Sequence, residues 1–198
     1  MIRPGKRVHN FEITPREYSS RGKNNLFPDF YKCSNPKCSY QDRLWRNGFY
    51  RRNVIWFDAI YTIFVQRYRC PVCGHTVSAL PTFVLPYYQY ALAVIFLCFQ
   101  AISIMKMSYK QAAGHVHSRY LKEQHIHFYK DRFNSCAKLS VPVLLNLGCV
   151  SPIQNDNSSL LFTWVTYIKS HSTAESFTVR FLEMWSISFL SKALANSS

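Results

Sequence analysis

Cys33-Ser34-Asn35-Pro36-Lys37-Cys38 and, 31 residues further on, Cys70-Pro71-Val72-Cys73-Gly74 decide how this chain is read. Two closely spaced thiol pairs on tight turns offer four sulfur ligands, and zinc takes four such ligands in tetrahedral geometry. Gly74 stands where the turn after the second pair needs positive φ, which glycine adopts at little cost. The stretch between the pairs is long enough for a β-hairpin that folds one pair back onto the other. Four thiolates leave no open coordination position. The expected cofactor is therefore one structural Zn2+ ion held by Cys33, Cys38, Cys70 and Cys73. His75 follows directly and is a competing donor, but the four cysteines already complete the set. A redox pair of the thioredoxin kind would need a helix start in a βαβ setting, and no such setting surrounds Cys70.

Outward from these pairs the pattern is β-like between Phe30 and Pro86. Leu44–Ile55 carries Asn47-Gly48 between aromatic residues, a tight-turn signal. Ile60–Arg69 is rich in β-branched and aromatic residues and runs into the second pair. Thr76–Leu80 is a short third strand closed by Pro81. Residues 29–86 are thus expected to form a β-rich zinc ribbon. The 28 residues before it are basic and rich in turn formers (Pro4, Gly5, Pro15, Ser19, Ser20, Gly22, Asn24, Asn25) and are expected to be a flexible arm.

Helical periodicity follows. Tyr87–Met107 repeats apolar residues at three- and four-residue steps, and Ser108 is an N-cap for a second helix over Tyr109–Val116. A third helix runs from about Lys122 to Cys136 with Ile126, Tyr129 and Phe133 on one face. Residues 87–138 are expected to form a helical, helix-turn-helix-like module. In residues 139–198, Ser151–Ser159 reads as a loop and Ser176–Ala195 as helix, with an aromatic patch of Phe181, Trp185 and Phe189. The role of this last segment is left open. The fold class is accordingly α+β. The apolar run Tyr90–Met105 is shorter than the ~20 residues a bilayer-spanning helix needs and is read as a buried helix.

Lys and Arg number 24 against 10 acids, a net charge of +14. Such an excess points to a polyanionic partner, because each phosphate contact releases counterions without requiring sequence readout. Seven cysteines, an odd number with four in close pairs, suit a reducing compartment and a metal better than a disulfide framework. Cys98, Cys136 and Cys149 lie in apolar surroundings and read as small core residues. His115, His117, His125 and His127 form two His-x-His pairs whose members diverge on a helix, so a second metal site is not expected.

The segment Leu44–Ile55 followed by Arg67-Tyr-Arg-Cys-Pro-Val-Cys-Gly-His-Thr-Val-Ser-Ala-Leu-Pro-Thr-Phe-Val-Leu-Pro-Tyr87 resembles the zinc-ribbon segment of bacterial transposase-like proteins. These relatives share a domain common in Gram-positive bacteria and are often described as transposases. In them a helix-turn-helix follows the ribbon, matched here by Met107–Ala113 and His125–Phe133. Two departures stand out: the first pair has four intervening residues where two are usual, and no glycine occupies the turn at His117–Tyr120. The resemblance, and not the composition, implies DNA as the ligand and a cytoplasmic, nucleoid-associated bacterial protein. On that model the third helix enters the major groove. Gln124, His125, His127, Tyr129, Lys130 and Arg132 are then candidate contacts, with Lys110 and Arg119 on phosphate.

Transposases cut DNA through metal ions held by a carboxylate triad. The ten acids here, Glu12, Glu17, Asp29, Asp42, Asp58, Glu123, Asp131, Asp156, Glu175 and Glu183, are scattered, and no triad can be placed. The expectation is a non-catalytic accessory or remnant of a mobile element. Its partners would be DNA and either a transposase subunit or a second copy of itself through the C-terminal segment. The alternatives are a zinc-ribbon scaffold for a protein partner and an active recombinase.

Overall fold

The computed structural model describes residues 5–150, 156–171 and 174–191, and in them the chain is a mixed α/β protein. It divides into two units, one from the residues up to Ile55 together with Ile60–Gln89, the other from Trp56–Ala59 together with the residues from Tyr90 onward.

The first unit is built on a four-stranded sheet in the order β1-β4-β3-β2, from β1 (Gly5–His9), β2 (Trp45–Trp56), β3 (Ala59–Arg69) and β4 (Thr76–Pro81). The long β2 and β3 are neighbours joined at Phe57-Asp58, so the turn does not fall at Asn47-Gly48. Gly48 keeps its left-handed backbone, φ 72°, within β2. There its carbonyl accepts from Gln66 Nε2 at 2.8 Å, and the strand continues through the glycine to Trp56. The positive φ of the turn falls on Phe57 at 54°. β3 and β4 pair antiparallel, with Arg67 opposite Ser78 and Tyr68 opposite Val77.

Residues 1–28 are not a flexible arm over their described part. Gly5–His9 lies parallel to β4 at the sheet edge, in register from Gly5–Val77 to His9–Pro81. Pro15–Arg21 is a helix (α1) closed by a capping box in which Thr14 and Glu17 exchange hydrogen bonds. Tyr18 on that helix is fully buried, donates its hydroxyl to the Phe64 carbonyl at 3.0 Å, and meets Phe11, Phe27 and Phe83 edge to face. The turn-forming composition reflects short elements, and burial of aromatic residues between them holds the segment down.

The second unit is helical: α2 (Leu92–Ser103), α3 (Tyr109–His115), α4 (Glu123–Asn146), α5 (Asn157–His171) and α6 (Ala174–Trp185). The buried residues of α2, among them Leu92, Ile95, Cys98 and Phe99, take up one broad side. Ala93, Phe96, Leu97 and Gln100 on the other are half-buried, and the helix packs against α3, α4, α5 and α6. Among the described residues no helix is long and apolar enough to cross a membrane. α4 passes through Cys136 and through Pro142 to Asn146, so the expected boundary at 138 and 139 falls inside a helix. Both expected segments, 87–138 and 139–198, contribute to one unit. Ser158 and Ser159, read as loop, open α5 on amides that donate to Asp156 Oδ1 at 3.0 and 2.9 Å. Positions 151–155 and 192–195 of the expected loop and helix lie outside the described residues. Cys98, Cys136 and Cys149 are buried, as expected.

Trp164 of α5 is the centre of this unit, fully buried, with the rings of Phe96, Phe99, Phe133, Phe177 and Phe189 at centroid distances of 5.4–5.9 Å. Its indole N–H has no hydrogen-bond acceptor among the described residues. Trp164→Ala is expected to cost about 3–5 kcal/mol of stability. Trp164→Phe should cost clearly less, because no hydrogen bond is lost with the indole. Urea unfolding followed by circular dichroism measures both, and equal losses would show that ring volume is not what holds the helices together.

Candidate metal centre

Local backbone bonding builds each cysteine pair as a closed loop. Around the first pair, Leu44 N–H donates to Phe30 O at 2.8 Å, Lys32 to Asp42 at 3.3 Å and Cys33 to Tyr40 at 2.9 Å. Within that loop Cys38 N–H donates to Asn35 O at 2.9 Å, so the four intervening residues are accommodated by an ordinary turn. The second pair is the connection between β3 and β4. Cys70 N–H donates to His75 O at 2.9 Å and Gly74 N–H to Cys70 O at 3.0 Å, with Gly74 at φ 70° as expected from its position.

The two loops bring all four sulfurs together. Cys33, Cys38, Cys70 and Cys73 have Sγ atoms within 4.8 Å of one another, and among the described residues they are the one group of three or more potential donor side chains so placed. Cys33 and Cys73 are 3.5 Å apart and Cys38 and Cys70 are 3.8 Å apart. A tetrahedral tetrathiolate with bonds of about 2.3 Å has edges of about 3.8 Å. The spacing therefore suits one metal ion, and His75 stands outside the group. Cys33 and Cys70 are buried, Cys73 exposed. Burial pushes the Cys33 thiol up to about 12, while Cys73, beside the His75 backbone N–H, is lowered to about 6.

Beneath the sulfurs lie Phe30, Leu44, Tyr68, Val77 and Ala79, which share one core with Cys33 and Cys70. Above them sit groups that the motif alone does not reveal. Arg7 of β1 donates to the carbonyls of Tyr31 and Lys32 at 3.1 and 2.8 Å and stacks 5.0 Å from the Phe30 ring, clamping the first loop. Burial holds its guanidinium below the usual range, an effect that a thiolate at Cys33 opposes. Arg69 flanks Gly74, and Asn35 N–H points at Cys33 Sγ at 3.4 Å. Bound thiolates would leave net negative charge, and these donors would offset it. A Cβ on Gly5 would stand 2.7 Å from Ser34 Oγ, so a larger residue there would require the Ser34 side chain to move. The signal for these contacts lay in Gly5 and Arg7 being two apart on one strand face.

The residues expected to touch nucleic acid divide into two groups. Lys110, Arg119, Gln124 and His127 are exposed on α3, the following turn and the start of α4, with the His127 ring 3.7 Å from that of Tyr109 and Arg119 over the Tyr120 ring. Tyr129 is buried to 4% exposure and meets Tyr90, so it is not a surface contact; the Ile126–Tyr129–Phe133 stripe takes it into the core. His125 turns back to cap its own helix, accepting from Lys122 N–H through Nδ1 at 3.0 Å, and burial lowers its pKa. Lys130 donates to the Tyr109 hydroxyl at 3.0 Å, and Arg132 lies over the Phe128 ring. In the turn without glycine, His117 takes the left-handed backbone at φ 51°. The turn is pinned by Ser118, which donates to the Phe57 carbonyl, and by Tyr90, which donates to the Tyr120 carbonyl. In the C-terminal segment Phe181 and Phe189 are fully buried, so the expected aromatic patch is mostly core.

A family model described as a domain of unknown function (DUF6431) matches residues 35–117, less than half of the chain. Over that stretch, which takes in Cys38, Cys70 and Cys73 and begins just after Cys33, the chain is similar to that family. No curated protein and no solved structure matches.

Elemental analysis of the purified chain is expected to return one metal ion per chain, lost as pH falls because protons compete for the thiolates. Cys70→Ser removes a buried donor and should release the ion and unfold the first unit, whereas His75→Ala should retain it. Full metal occupancy in Cys70→Ser would show that the four thiols are not the ligands.

Proposed function

We propose that this chain is a zinc-dependent DNA-binding protein related to transposases, acting as a non-catalytic accessory or remnant of a mobile element. The ion in its cysteine cluster would be structural zinc, the cation that best fits four thiolates at tetrahedral spacing. Around it the first unit would be a zinc ribbon, and α3 with α4 a helix-turn-helix. The observation that carries the reading is that Lys110, Gln124 and His127 are exposed on two helices that pack against one another, with Arg119 exposed in the turn between them. A net charge of +14 adds the long-range attraction. Gln124 and His127, at the start of the longer helix, would reach base edges, and Lys110 and Arg119 would hold phosphates. The link to transposases rests on the motif resemblance.

A scaffold that captures a protein through its C-terminal aromatics has less to support it, since Phe181 and Phe189 are core residues. An active recombinase would need converging carboxylates. Asp29 is instead held by Arg43 and Arg46, Asp156 by the α5 amides, and Glu17 by the α1 cap.

Gel-shift titration on DNA should show affinity falling steeply with salt. Lys110→Ala and Arg119→Ala should weaken binding to all sequences alike and reduce the salt slope by about 1 each. Gln124→Ala should instead relax sequence preference. Binding that is absent, or flat with salt, would overturn the reading.

A further inference from the structure

The sheet of the first unit sorts its side chains by strand alternation. Tyr68, Val77 and Ala79 point into the core beneath the cysteines. The residues between them point the other way. Lys6 of β1 is opposite Ser78 of β4, and Ser78 is opposite Arg67 of β3. These three form one row across the sheet, on the face turned away from the cysteine core.

Two residues of β2 join that row. The Lys6 ammonium lies 5.6 Å from the ring centroid of Tyr50 and 5.9 Å from that of Tyr87. Ser78, itself buried, accepts from Lys6 Nζ at 3.4 Å and is hydrogen-bonded to Tyr50. Arg52 is half-buried nearby and donates to the carbonyls of Leu85 and Tyr88.

Two partly buried cations, Lys6 and Arg52, thus share this face with the exposed Arg67, and the partners of Lys6 and Arg52 named above are all neutral. None of Lys6, Arg52 and Arg67 is in an ion pair among the described residues. The Lys6 ammonium is held below its usual range by burial and by the charges of Arg52 and Arg67. Like charges withdrawn from water without a counter-charge are unfavourable, and an anion in the corner would relieve both the crowding and the lost hydration. Guanidinium, ammonium and hydroxyl donors in one place are the set that recognises a tetrahedral oxyanion.

We propose that Lys6, Arg52 and Arg67, with the hydroxyls of Ser78 and Tyr50, form a phosphate-binding site on the sheet face opposite the cysteine cluster. The site stands on the sheet alone and does not require the DNA reading. The phosphate belongs either to a nucleic-acid backbone or to free phosphate, and the test separates these sources.

Metal-loaded, full-length protein is titrated calorimetrically with inorganic phosphate at fixed ionic strength, and separately with a fluorescent DNA duplex. Arg67→Gln removes an exposed member of the site, Lys6→Met a half-buried one, and Arg51→Gln removes an equal charge from the opposite face of β2. Phosphate binding should weaken at least about tenfold in Arg67→Gln and in Lys6→Met, the loss of a charge-assisted hydrogen bond, and hardly change in Arg51→Gln. If Arg67→Gln weakens the duplex as well, and phosphate competes with it, the site holds a backbone phosphate. If phosphate binds and the duplex is unaffected or not bound, the site serves free phosphate, and absence of duplex binding counts against the DNA reading alone. No saturable phosphate binding by wild type, or equal losses in Arg51→Gln and Arg67→Gln, overturns the site, even where the duplex binds.

Discussion

The convergence of four thiols from two loops is the constraint on which the first unit depends. The core under the cysteines is small, and its members Phe30 and Leu44 come from the first loop while Tyr68, Val77 and Ala79 come from the sheet. Nothing in the sequence between residues 28 and 44 forms a strand of its own; the loop there has one isolated bridge, Tyr31 to Arg43. An ion bound by both loops would add binding free energy on the order of 10 kcal/mol to folding. It would add to the Arg7 hydrogen bonds and to the packing of Phe30 and Leu44 that already hold this irregular loop.

What the sequence made legible follows from how local each signal is. The cysteine pairs, the positive φ of Gly74, the β3 and β4 strands and the Ser108 cap are each decided within a few residues, and each appears where the pattern puts it. The N-terminal elements are different. β1 is a strand because β4 lies beside it, some 70 residues away in the chain, and Gly5-Lys-Arg-Val-His has little strand preference of its own. α1 did carry a local signature, Thr14-Pro15-Arg16-Glu17, a capping box with proline in the first turn. The surrounding glycines, serines and asparagines masked it. Asn47-Gly48 is not a turn because β2 runs on through it to Trp56 and pairs with β3, with Gly48 keeping its left-handed backbone inside the strand.

The same division applies to charge. A count of basic residues points to a polyanion but cannot say which of them face it. Folding turns His125 back to cap its helix, hydrogen-bonds Lys130 to Tyr109, sets His127, Arg119 and Arg132 against rings, and buries Tyr129. It also gathers Lys6, Arg52 and Arg67, which are distant in sequence, onto one face of a sheet. Position along a helix is readable from a period; position across a sheet needs the register, and here the register is set by a strand that the sequence does not announce.

The four residues at the tip of the β2–β3 hairpin, Trp56–Ala59, group with the helical unit while the strands on either side belong to the sheet unit. The chain consequently passes from one unit to the other three times, and no single cleavage can free either of them whole. Such an interlaced path ties their inheritance together. Replacing one unit by recombination would therefore mean replacing two separate stretches of chain at once.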